Sequence, residues 1–133
     1  MALYVVFESG VQRLADTPTR YLQEHECTEY IASVPTIWDE TKVLSAKVGE
    51  HIVVARRSGE KWFVGAITNQ HGREVKVNLD FLKDGKHKLT SFEDGINADR
   101  QAMDYKKRTS EVDSQSSITI KMVRNGGWCG VIE

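Results

Sequence analysis

Residues 73–82 read REVKVNLDFL, and this stretch decides the fold class. Val75, Val77, Leu79 and Phe81 alternate with Lys76, Asn78 and Asp80. Successive side chains of a strand point to opposite faces, so a period of two predicts a strand with one face in a core and one in water. Ile118, Ile120 and Met122, interleaved with Thr119 and Lys121, repeat the pattern. Upstream, residues 51–57 and 61–68 flank Ser58-Gly59-Glu60, a good hairpin connection. Val48-Gly49, His71-Gly72, Asp84-Gly85, Asp94-Gly95 and Asn125-Gly126-Gly127 punctuate the rest as turns. About eight short strands at near-regular spacing predict an antiparallel β-sandwich. The polar stretch from Ile96 to Ser117 carries the weakest pattern.

The first 34 residues have a different period. Leu3, Tyr4, Phe7, Val11, Leu14 and Ala15 follow helical spacing, with Glu8, Ser9, Gln12, Arg13 and Asp16 on the other side, and Thr17-Pro18 stops the segment. A second short helix turns Cys27, Tyr30, Ile31 and Val34 inward. Glu24 and Glu26 suit the positive end of its dipole, and Pro35 closes it. The expected fold is thus mainly β: a sandwich over residues 35–133, able to fold without its helices, preceded by two α-helices over 1–34. Residues 3–7, LYVVF, are apolar on more than one side. Such a helix is normally covered on both sides, which implies a neighbour beyond the sandwich. Exposing Leu3, Tyr4, Phe7, Val11 and Leu14 together predicts either two-fold pairing through this helix or its folding back onto the sandwich.

Composition narrows the function. With 18 basic and 19 acidic residues among 133, the net charge of -1 offers no field for nucleic acid or an anionic membrane. The apolar run at the start ends at Glu8 with no Lys or Arg before it, so no signal peptide is expected, and no segment reaches the ~20 apolar residues of a membrane span. Cys27 and Cys129 have no metal-type spacing and read as two free thiols or a single disulfide.

His25, His51, His71 and His87 are scattered, and no nucleophile elbow, P-loop or dinucleotide fingerprint occurs. Glycoside hydrolysis needs two carboxylates across a sugar. Glu8 falls on a polar helix side, and Asp39 and Glu40, adjacent on a strand, are expected to face opposite sides. Trp38, Trp62 and Trp128 could stack on sugar rings or pack an interface; for Trp62 beside Phe63, alternation predicts that one of the pair is core.

Several phrases, in order along nearly the whole chain, resemble the C-terminal region of glycoside hydrolase family 97. They are ALYVVFES from Ala2, QRLADTP from Gln12 with Tyr21, VPTIWDET from Val34, GEHIVVARR from Gly49, KWFVGAIT from Lys61, LDFL from Leu79, and Gly126-Gly127-Trp128. The resemblance implies α-glucosidases or α-galactosidases that use calcium, built from an N-terminal super-sandwich, a (β/α)8 barrel and a C-terminal sandwich. Residues 1–34 are then similar to the end of the barrel, which supplies the missing neighbour. Periplasmic or secreted full-length relatives fit this reading. No position here matches the family's catalytic or calcium-binding carboxylates, so the resemblance implies no catalytic residue and no cofactor in this chain. Gly10 stands where the family pattern has proline. Three roles remain open: a non-catalytic accessory or oligomerisation domain partnered by a catalytic barrel or a second copy, a carbohydrate-binding module, or a protein-interaction domain.

Overall fold

The computed structural model describes residues 3–6, 25–35, 37–95 and 105–133. Among them, two helices, α1 (Leu3–Val6) and α2 (His25–Ser33), precede eight strands. These are β1 (Glu40–Lys47), β2 (His51–Ser58), β3 (Lys61–Thr68), β4 (Arg73–Asn78), β5 (His87–Asp94), β6 (Tyr105–Val112), β7 (Ser117–Met122) and β8 (Gly127–Ile132). Six form one antiparallel sheet in the order β1-β2-β3-β8-β5-β6, and β4 pairs with β7 across it. The expected antiparallel sandwich is what the chain forms.

The strands follow from their local chemistry. In β4 and β7 the alternation has the predicted phase: Val77 and Ile120 are buried while Lys76 and Lys121 are exposed. Val75 stands opposite Ile120 and Val77 opposite Ile118. The β2–β3 hairpin closes Ser58 on Lys61 through Gly59-Glu60, and Gly59 adopts φ 62°, a left-handed value that glycine reaches without steric cost.

Two apolar clusters hold the layers. Between the sheets, Val53, Val64, Leu79, Ile120, Trp128 and Ile132 form the main core. On the outer face of the large sheet, Val5, Tyr30 and Val34 of the helical segment cover Phe63, Phe92 and Cys129. Strands β2 and β3 are therefore covered on both faces, and residues 53–56 and 62–66 are buried without interruption. This corrects the expectation that only one of Trp62 and Phe63 is core. Both are, Trp62 between the sheets and Phe63 beneath the helices.

The polar stretch that hides its structure in the sequence holds β6, whose residues 106–111 are all exposed. As the last strand of its sheet among the described residues, β6 has little apolar surface to bury, and lysines suit such an edge. Residues 96–104 lie outside the described residues.

Candidate functional site

The aromatic residues that could have formed a sugar platform are spent on packing. Trp62 and Trp128 are 7% and 3% exposed, and Trp62 lies with its ring centre 4.6 Å from that of Phe81. Both rings are thus buried within this chain. Trp38 is half-buried, set edge-on to Phe63 at 5.5 Å, with the Arg56 guanidinium 5.8 Å from its ring centre.

The helical segment is seated by the same face. Val5 is fully buried and Val6 nearly so, both where α1 meets β2 and β3. Arg56, on β2, donates from Nη2 to the Val6 carbonyl at 3.1 Å, so a buried cation satisfies a carbonyl of α1. Leu3 and Tyr4 belong to α1, whereas Phe7, Val11 and Leu14 of the predicted association face, and Glu8, lie outside the described residues.

Asp39 and Glu40 do converge, against the expectation from alternation. Asp39 sits in a bend before β1, where the alternation of a strand does not yet apply. Its Oδ2 accepts the Gly59 N–H at 2.8 Å and lies 3.8 Å from Arg57 Nη1, while Glu40 Oε2 lies 3.5 Å from Arg57 Nε. Both carboxylates meet one guanidinium at the β2–β3 turn, a pairing that ties the start of β1 to its neighbour. Asp94, half-buried at the end of β5, accepts the Val123 N–H at 3.1 Å; burial raises its carboxyl above the usual range, against backbone hydrogen bonds that lower it. Among the described residues no three His, Cys, Asp or Glu side chains gather as a metal site would require. No described helix is long and apolar enough to cross a membrane.

Two features do face outward. One is a depression of about 400 Å³ beside the β1–β2 turn, whose apolar lining includes Ala46, Val48, Ile52 and Ile67. Val48 at its rim is fully exposed, and Val43 on β1 is 60% exposed. Next to it Arg73 acts as a clamp: Nε donates to Thr68 Oγ1 at 2.8 Å and Nη2 to Asn69 Oδ1 at 3.0 Å, with Glu50 Oε2 3.5 Å from Nη1. The other feature is the edge of β6, beyond which no described strand lies. The Val48-Gly49 turn is legible in the sequence but neither surface is, because the residues of the depression come from three strands and an edge strand has no apolar period.

Glu50 permits a pH test. The Lys47 ammonium at 3.1 Å, and then Arg73, hold its carboxyl below the usual value of 4.5. A carboxylate with a depressed folded pKa adds stability above its unfolded pKa and loses it as pH falls through the folded one. Glu50→Gln is therefore expected to lower the melting temperature slightly at neutral pH and to match wild type once the pH is well below 4.5. The effect is small because solvent screens an exposed pair. Melting curves at several pH values, showing an equal difference throughout, would refute it.

Residues 37–133 match the family model described as glycosyl-hydrolase 97 C-terminal, oligomerisation. The chain is 44% identical over 128 residues to a retaining alpha-galactosidase of Bacteroides thetaiotaomicron, covering 96% of this chain and 19% of that protein. It is 40% identical over 81 residues to a probable retaining alpha-galactosidase of Streptomyces bingchenggensis, covering 59% of this chain and 13% of that one. The chain thus spans less than a fifth of the length of these relatives. Its fold superposes with a TM-score of 0.93 on a glycoside hydrolase family 97 enzyme from Pseudoalteromonas sp. strain K8 in complex with acarbose, at 33% identity, over 99% of this chain and 22% of that one.

Proposed function

The chain belongs to the C-terminal region of glycoside hydrolase family 97, and from that premise we propose that it serves as a non-catalytic accessory domain through which subunits of an α-glycosidase associate. The observation that carries this reading is the match of the whole sandwich, residues 37–133, to a domain described by oligomerisation. The reaction served is hydrolysis of α-galactosides, a choice supported by the 44% identity to a retaining alpha-galactosidase. Two buried tryptophans support an accessory role over a carbohydrate-binding one.

The association surface is part of the proposal. Pairing through the N-terminal helix is one arrangement consistent with the sequence. The burial of Val5 and Val6 on the chain's own sheet supports the other, in which the helix folds back and association uses another surface. Light scattering over a range of protein concentrations tests the role: a concentration-dependent dimer is expected, and a monomer throughout would refute it. In the fold-back arrangement Phe7→Glu leaves the dimer in place, whereas loss of the dimer with the fold intact would return the helix to the interface.

A further inference from the structure

Resting on the oligomerisation reading, we propose that β6 is the strand through which two copies of this chain pair, antiparallel across a two-fold axis at Thr109, joining their large sheets edge to edge.

The backbone supplies the first reason. Lys88 N donates to Glu133 O at 3.0 Å and Glu133 N to Lys88 O at 2.9 Å, so Lys88 turns its peptide groups toward β8. In an antiparallel ladder these directions alternate. Leu89 and Ser91 of β5 therefore bond to β6, through their partners Ser110 and Arg108. The N–H and C=O groups of Lys107, Thr109 and Glu111 then point away from β5, toward an edge beyond which no described strand lies. Extended chains add to such edges by main-chain hydrogen bonds.

The side chains supply the second. A strand carrying Lys106-Lys107-Arg108 is ordinarily protected against pairing. Here the protection is selective. Two-fold pairing can bond only when outward residues oppose outward residues, which places the axis on a residue rather than between two. An axis at Lys107 or Arg108 sets that cation against its own copy. An axis at Ser110 sets Lys107 against Asp113, in the turn past the strand end. An axis at Thr109 sets Lys107 of each copy opposite Glu111 of the other, on one face, with Thr109 opposite Thr109. Opposite charges directly across an antiparallel pair stabilise it, and like charges destabilise it. The intrachain partners of these side chains are weak competitors: Glu111 lies 3.8 Å from an exposed Lys86, and Lys107 5.9 Å from the Phe92 ring centre.

Sedimentation of the full 133-residue chain, over a concentration series at low salt, provides the test. Lys107→Glu and Glu111→Lys each place two like-charge pairs in the dimer, and each is expected to weaken self-association by about tenfold or more. Two recoveries are then expected. The double variant K107E/E111K restores the wild-type constant within a few fold. An equimolar mixture of the two single variants forms a heterodimer, because one then presents Glu at both positions and the other Lys at both. Melting curves confirm that the singles fold, and the mixture controls for damage to either. A dimer indifferent to both charge reversals would overturn the β6 pairing while leaving the oligomerisation reading standing. A failure of both recoveries would overturn the register. A wild-type chain that is monomeric at every concentration would overturn the oligomerisation reading and the pairing with it.

Discussion

Replacing Ile120 by aspartate is expected to unfold the chain. Ile120 is fully buried between the sheets, opposite Val75 of β4, and packs in the cluster that holds Leu79, Trp128 and Ile132. A carboxylate there would lose its water and gain no cation in a wholly apolar cluster. Such a group either stays charged at a cost of several kcal/mol or takes up a proton at a smaller one. Against a total stability of about 5–15 kcal/mol for a domain, a loss of ~4 kcal/mol or more removes most of the folded population. Val77→Asp, on the same inner face of β4, is expected to behave alike. Lys76→Asp, one residue along and exposed, should change stability by less than about 1 kcal/mol. Urea titration followed by circular dichroism compares the three. A reversed order, with Lys76→Asp the more damaging, would mean that β4 is out of phase by one residue, since a slip of one exchanges the faces, and equal midpoints would refute the one-sided burial of the strand.

Trp128→Ala is expected to cost about 3–5 kcal/mol, as large-to-small substitutions of buried aromatics do. The indole lies over its own strand, since a Cβ added at Gly130 would come within 2.9 Å of Trp128 and 3.1 Å of Leu89. Gly130 thus leaves the space that the ring fills, and truncating the ring opens a cavity that this strand cannot close. Trp62→Ala should be of similar size, because Phe81 packs on it. Trp38→Ala, at a half-buried edge, should cost less. The same variants separate packing from sugar recognition. A tryptophan used for packing lowers the midpoint of unfolding. A Trp128→Ala protein of unchanged stability that no longer bound an oligosaccharide captured by wild type would overturn the packing account.

The candidate surfaces were less legible than the fold. The depression draws Ala46 and Val48 from one side of a turn, Ile52 from the next strand and Ile67 from a third, and no spacing in the sequence announces such a set. The convergence of Asp39 and Glu40 on Arg57 escaped for a similar reason: alternation describes residues inside a strand, and Asp39 precedes it. The β6 edge was hidden because six successive exposed residues look the same whether they are loop or strand.

By itself, the sequence determined the faces of β4 and β7, the turns at Gly49, Gly59 and Gly85, and the family. Alternation records which side of a strand meets water, and glycine marks where the backbone takes a left-handed φ, as it does at these three positions. Tertiary structure alone decided which strands are neighbours. It placed β8, the last strand, between β3 and β5, because residues 128–132 are apolar enough to be covered on both sides and only the middle of the sheet offers that. It buried Trp62 and Phe63 on opposite faces, seated α1 on its own sheet, and left β6 at the margin. A periodic pattern carries the direction in which a side chain points, whereas the identity of what it meets depends on segments far away in the chain.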